Sequence, residues 1–288
     1  MALRPKALAL LLATISALAA AGPAVAAGDP AVAALQVGLR AKGVYAGTVD
    51  GVLGPETTDA VRKLQRKAGL AVDGVAGADT RKALGKFGRP GLGTRTLQGR
   101  VVGWDVAQLQ FLLAWHGFPS GPFDGHFGPR TDAAVRKFQA WAGLPPDGAA
   151  GPATLAALRT EPPTSPISLS SPTTVAATDG FGPRGDRFHT GIDFPAPIGT
   201  PVSAAGSGQV TYAGVLKGGW GLVVTIAHGS GVRTMYAHLS RIDVRLGARI
   251  MAGAPVGLVG ATGHATGPHL HFEVRLRGAA IDPLTALG

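Results

Sequence analysis

Two periodicities divide the chain. From about residue 31 to 160, apolar side chains recur at the three-four spacing of an amphipathic helix. Ala60, Val61, Leu64 and Ala68 form one such stripe, and Ala134, Val135, Phe138 and Ala142 form another. Each stripe follows a proline, Pro55 or Pro129, placed in the first turn where its missing N–H costs nothing. Shorter helices are predicted near 31–42, 78–86, 104–116 and 152–159, joined by Asp-Gly turns. Beyond residue 177 short apolar segments separated by glycine take over: 201–204, 208–213, 222–227, 233–237, 255–259 and 269–276. These read as strands. Residues 227–231 form a hairpin loop that returns the segment carrying Tyr236 and His238 onto 222–227. The pattern predicts a multidomain α+β chain, with two small three-helix modules followed by a mainly antiparallel β domain.

The helical half is a repeat. Residues 35–84 align on 109–158 without a gap and are identical at about half the positions. Leu35-Gln36 matches Leu109-Gln110, Asp50-Gly51 matches Asp124-Gly125, and Gly54-Pro55 with Thr57 matches Gly128-Pro129 with Thr131. Gln65, Gly69-Leu70 and Asp73-Gly74 match Gln139, Gly143-Leu144 and Asp147-Gly148. The boundaries drawn are modules at 28–87 and 104–160, a glycine-marked linker at 88–103, and a β domain at 177–288. Between the second module and the β domain, residues 161–176 carry Pro162, Pro163, Pro166 and Pro172 among hydroxyl side chains and read as a semi-extended linker. So small a module buries too modest a core to enclose an active site, which favours binding as its job. Trp115, Trp141, Phe123 and Phe127 enrich the second copy in aromatics, most of them core and some able to stack on sugar faces.

Composition adds the setting. Arg4 and Lys6 precede an apolar run over 7–20 and the small-residue stretch 24–26, so residues 1–27 read as a secretory signal, too short to be a comfortable bilayer span. The exported chain is then expected to be a monomer with no stable membrane insertion. The formal charge of +10, or +8 once Arg4 and Lys6 leave with the signal, suits an anionic partner. Lysine and arginine are scattered rather than clustered, which argues against nucleic acid. Without cysteine, neither a disulfide nor a thiolate metal site is available.

The chemistry concentrates in one stretch, 267–274. As a strand it places His269, His271 and Glu273 on one face, the two imidazoles about 6.6 Å apart, so that one can bind a metal while the other reaches a substrate atom beside it. Upstream, His189 and Asp193 add a second imidazole and a carboxylate. Two nitrogens and one oxygen around an open fourth position describe a catalytic rather than a structural zinc site. Glu273 can orient a histidine from behind, or it can be a solvated carboxylate at the strand end. His228, in a turn, and His264, in a glycine-rich loop, read as structural or rim residues, and His116 and His126 as ordinary histidines of the second module.

The His189-x-x-x-Asp193 spacing, the Tyr236-Ala237-His238-Leu239 segment and the His269-Leu270-His271 strand resemble the lysostaphin-type zinc endopeptidases that cut peptidoglycan cross-bridges. The likeness runs over about 110 residues and includes Gly180-Phe181-Gly182-Pro183-Arg184, Gly199-Thr200-Pro201-Val202 and Thr266-Gly267-Pro268-His269. It implies one zinc ion on His189, Asp193 and His271, with His238 and His269 as non-ligating catalytic histidines. The Asp-Gly-x-x-Gly-Pro-x-Thr pattern at 50–57 and 124–131, with Gln65 and Gln139, resembles the type 1 peptidoglycan-binding domain. The chain then reads as an exported zinc metalloendopeptidase, associated with a bacterial cell wall, that hydrolyses peptide cross-links or bridges of peptidoglycan. Such a zinc would lower the pKa of a coordinated water towards about 7 and polarise the scissile carbonyl. No His-Glu-x-x-His helix supplies a glutamate base, so the proton work falls to His238 and His269.

Two rival readings remain. A non-catalytic peptidoglycan-binding or hydrolase-regulating wall protein would be expected to have lost at least one of these five residues. A zinc carboxypeptidase is disfavoured by the four-residue step from His189 to Asp193.

Overall fold

The computed structural model describes residues 28–288, so the signal expected in 1–27 lies outside the described residues. Six α-helices come first: α1 (Pro30–Ala41), α2 (Pro55–Lys67), α3 (Ala78–Ala83), α4 (Trp104–Trp115), α5 (Pro129–Trp141) and α6 (Pro152–Ala157). The remainder is β: β1 (Gly182–Arg184), β2 (Arg187–His189), β3 (Ile192–Pro195), β4 (Pro201–Ser203), β5 (Gly208–Leu216), β6 (Gly221–Gly229), β7 (Val232–Leu239), β8 (Arg241–Ile242), β9 (Arg249–Ile250), β10 (Pro255–Leu258), β11 (His269–Leu276) and β12 (Ala279–Ile281). Among the described residues no helix is long and apolar enough to cross a membrane.

A buried glutamine organises each helical unit. Gln36 Nε2 donates to Asp50 Oδ1 at 2.7 Å while its Oε1 accepts from Gly51 N at 2.9 Å. The same pair of bonds, at 2.7–2.9 Å, joins Gln65 to Asp73 and Gly74, Gln110 to Asp124 and Gly125, and Gln139 to Asp147 and Gly148. Both ends of each amide are satisfied, as burial requires. The glycine after each aspartate has φ between 67° and 77°, which a side chain would strain. The repeat is thus half as long as the alignment suggested: Asp-Gly-x-x-Gly-x-x-Thr recurs four times, ending at Thr57, Thr80, Thr131 and Thr154. These residues build turns.

The β domain centres on one antiparallel sheet in the order β12-β11-β7-β6-β5-β9. β3 pairs with the first half of β11, bringing Asp193 opposite His271, while β12 pairs with the second half. A smaller sheet, β4-β10-β8, packs nearby, and β1 and β2 form a hairpin. The buried core holds Tyr236, Phe272, Ile226 and Ile192. The buried Tyr236 hydroxyl oxygen accepts from Ala205 N at 2.8 Å and from the Thr234 hydroxyl at 3.1 Å, and burial pushes its pKa up to about 12.

The two linkers differ from expectation. In 88–103, Leu97 is fully buried, exchanges backbone bonds with Ala150 and belongs to the core of the second module. In 161–176, Leu169 is buried and lies parallel to Leu287, with Ser170 N donating to Ala205 O. Neither segment is a free tether, because each spends an apolar side chain on a neighbouring core.

The helices also pack on the β domain. Val49 N donates to Gly185 O at 2.8 Å and Phe123 N to Asp186 O at 2.7 Å, both on the β1–β2 hairpin. Ala280 N donates to Gly117 O, and a Cβ on Gly117 would fall 2.2 Å from Ala280 O.

Candidate active site

β2, β3 and β11 converge at one end of the sheet. Between His189 and Asp193 the chain turns at Gly191, where a Cβ would lie 2.3 Å from Phe272 O and 3.0 Å from the His271 ring. Only glycine lets the two flanking residues close on His271. His189 Nε2 stands 3.0 Å from His271 Nδ1 and 3.2 Å from Asp193 Oδ1, and His271 Nδ1 stands 2.8 Å from the same Oδ1.

Each ring has an acceptor behind it that suits a metal ligand. His189 Nδ1 lies 2.8 Å from the Gly180 carbonyl, which can only accept, and 3.0 Å from Arg184 Nη2. His271 Nε2 lies 3.4 Å from Glu273 Oε1. With the ring protons on those outer nitrogens, three lone pairs converge within 2.8–3.2 Å and a cation can sit among them. Without one, the inward nitrogens carry protons to Asp193 instead. Zinc bonds of 2.0–2.1 Å in a tetrahedron would set donors about 3.3 Å apart, so the cluster fits that ion with little movement.

Burial alone would raise the Asp193 carboxyl, but hydrogen bonds from His189 and His271 and the Arg184 guanidinium outweigh it and hold it well below the usual carboxylate range. Arg184 also pairs with Asp179. Glu273 is fully buried, not a solvated strand end. Burial raises it, but His271 and Arg275 dominate and bring its pKa down to about 2, with Arg275 Nε 2.6 Å from Oε2 and the Thr190 hydroxyl on Oε1. Burial pushes His271 down, yet Asp193 and Glu273 prevail and raise it. A divalent cation can stand where that proton would.

The two remaining histidines lie alongside. His238 lies one residue before the end of β7 with φ 62°, left-handed backbone that is uncommon for a side-chain-bearing residue and frequent at functional sites. Its N–H donates to Trp220 O, and its Nδ1 lies 2.8 Å from Thr262 O, leaving Nε2 free. Burial pushes its pKa down, and His269 and His271 add to that. His269 Nδ1 lies 2.9 Å from Gly267 O, again leaving Nε2 free, 3.9 Å from Asp193 Oδ1. The rings of His238 and His269 are 4.8 Å apart. All five residues line one open cleft of about 530 Å³.

His264 also lines the cleft, as a rim residue, whereas His228 is tied to Ser207 O and the Thr234 hydroxyl, away from it. Trp220 was not singled out in the sequence, and Arg184 figured there only within the Gly180-Phe181-Gly182-Pro183-Arg184 stretch. The Trp220 ring lies 5.3 Å from that of His271. A tryptophan between Gly219 and Gly221 was the available signal.

Residues 187–283 match peptidase family M23, and residues 28–84 and 103–158 each match the putative peptidoglycan binding domain. The chain is 48% identical over 99 residues to the DD-carboxypeptidase/endopeptidase Mpg of Neisseria meningitidis, a match covering 34% of this chain and 23% of that protein. It is 42% identical over 104 residues to the peptidoglycan DD-endopeptidase ShyA of Vibrio cholerae, covering 34% and 23%. The match thus spans under a quarter of each relative's length. Among solved structures, the catalytic domain of lysostaphin from Staphylococcus simulans is 36% identical, covering 38% of this chain and 90% of that one with a TM-score of 0.36. The His-Asp-His cluster therefore lies within the stretch that matches peptidase family M23, which this chain joins to two stretches that match the putative peptidoglycan binding domain.

Proposed function

We propose that the chain is an exported zinc-dependent endopeptidase that hydrolyses peptide cross-links of peptidoglycan, with its helical modules holding it on the cell wall. The observation that carries this reading is the convergence of His189 Nε2, Asp193 Oδ1 and His271 Nδ1 within 3.2 Å, each ring backed by an acceptor. Relatives named for DD-endopeptidase activity favour a bond between D-amino acids as the one cut.

Zinc held there supplies Lewis-acid polarisation of the scissile carbonyl and acidification of a water. The rest falls to the protein. His238, kept neutral by burial, offers Nε2 to take a proton from the attacking water. His269 presents Nε2 across the same cleft; as imidazolium either ring can hold the developing oxyanion or return the proton to the leaving amine. Glu273 and the Gly180 carbonyl hold the two ligating rings in orientation.

Mass spectrometry of peptidoglycan digested with the purified protein tests the reading. Loss of cross-linked dimers with new free stem ends is expected. Shortened stems alone would indicate a carboxypeptidase, and an unchanged pattern a non-catalytic wall protein.

A further inference from the structure

A second cleft, of about 850 Å³, opens where the second helical module meets the β domain. Its walls carry Arg130 and Lys137 from α5 and its first turn, and Arg275 and Arg277 from the end of β11 and the turn beyond. Among the described residues no carboxylate lines it. Trp141 forms part of the floor, held by Nε1 donation to Leu276 O at 3.2 Å and by the Arg277 guanidinium 4.9 Å over its ring. Of the second module's four noted aromatics it alone is not buried: Trp115, Phe123 and Phe127 are core.

The cleft also holds an unspent polar group. Ser120 is buried, and its hydroxyl has no hydrogen-bond partner among the described residues. The two clefts adjoin at one residue. Thr190 lines both, and its hydroxyl bonds Glu273, which also receives Arg275.

We propose that this inter-domain cleft is a substrate subsite that binds the carboxylate-bearing peptide strand on one side of the scissile bond. The inference rests on the peptidase reading above. Its volume lies within the range of ligand sites, about 300–1,000 Å³. Arg130, Lys137 and Arg277 face the cleft while Arg275 is paired to Glu273, and with no carboxylate among the lining residues they make a site for free carboxylates; the apolar floor suits the stems between them. The helical module is then more than a tether, because it forms one wall of the substrate groove.

The test uses the full zinc-loaded chain with two soluble cross-linked muropeptides, one with free carboxylates and one with those carboxylates amidated. Arg130→Gln/Lys137→Gln alters exposed residues outside the catalytic cluster, and Lys82→Gln on the first module is the control. For the free-carboxylate substrate the double variant should raise KM roughly three- to tenfold at unchanged kcat, with no change for the amidated one. Binding of the free-carboxylate product to each protein, measured by calorimetry, should weaken by the same factor. Equal KM and equal product binding in parent and double variant, or an equal effect on the amidated substrate, would overturn the subsite. A parent that binds the product through Arg130 and Lys137 yet cleaves neither substrate would refute the peptidase reading and leave the anion site standing.

Discussion

Trp115 of α4 stands edge-on to Phe188, ring centroids 5.3 Å apart at 78°, one residue ahead of His189. The same tryptophan meets Phe181 at 6.2 Å, and Phe181 meets Phe188 at 4.9 Å. A helix of the second module thereby braces the hairpin that presents a metal-facing histidine. Trp115→Ala should cost about 3 kcal/mol of stability, as truncation of a buried tryptophan does. It should also weaken zinc binding, roughly tenfold, as loss of an outer support around a ligand does. Denaturant unfolding and a competitive zinc titration read the two effects separately. A lower stability with unchanged zinc affinity would show that the aromatic contact fastens the domains without bracing His189.

Ligands and proton-handling groups should separate on one preparation. His271→Ala removes one of three inward lone pairs, so metal analysis should find the zinc lost. His238→Ala and His269→Ala leave the cluster whole and should keep one zinc per chain, yet lose roughly 10²- to 10⁴-fold in cross-link cleavage. Full zinc with parental activity in either variant would strike that histidine from the mechanism, and lost zinc would make it a ligand.

Much of this site was legible because β11 obeys a local rule. Strand alternation placed His269, His271 and Glu273 on one face, and the observed strand spans His269–Leu276 as that pattern expected. The α2 and α5 stripes were equally plain, since Val61, Leu64, Val135 and Phe138 are all buried. What failed to show were features whose partners are distant. β1, β2 and β3 are three or four residues long, β1 and β3 contain Pro183 and Pro195, and all three hold their shape through pairing with one another or with β11. The proline-rich stretch looked like a tether because Leu169, with Ile167 and Val175 beside it, is spent on a core some hundred residues on, Leu169 against Leu287. The half-length repeat was present as four Asp-Gly-x-x-Gly-x-x-Thr segments, but the longer alignment, with its greater identity, masked it.

Glu273 offers a sharper test of the support around His271. Its carboxylate receives the His271 ring, Arg275 and Thr190, and is fully buried. Glu273→Ala should lower zinc affinity by roughly 10- to 100-fold while the three donors remain. Stability should fall as well, because the substitution removes the acceptor for the partly exposed Arg275 and leaves a void. Zinc affinity equal to the parent, measured on folded protein, would show that the ring is held by packing and not by this carboxylate.

Acid should destabilise the second module through His116. The residue caps α4, its Nδ1 2.9 Å from Leu112 O, and its ring packs edge-on against Phe138 with centroids 5.4 Å apart. Burial pushes its pKa down, more than the carbonyl contact raises it. The folded chain therefore binds this proton more weakly than the unfolded chain, whose imidazole titrates near pH 6.5. The stabilising difference is complete above that pH. It declines as pH falls below it, by at most about 1.4 kcal/mol per unit for one group, until the folded residue itself protonates. His228 and His238 are lowered in the same direction and share the window, whereas carboxylates held low, such as Asp73 and Asp147, lose their contribution only below about pH 4. Denaturant unfolding of the parent and His116→Leu between pH 7.5 and 5, with chelator present in both, isolates one share. The variant is expected to be less stable at pH 7.5, where it lacks the bond to Leu112 O, yet to lose less stability on acidification. Parallel pH dependences would mean that His116 keeps an ordinary proton affinity in the fold.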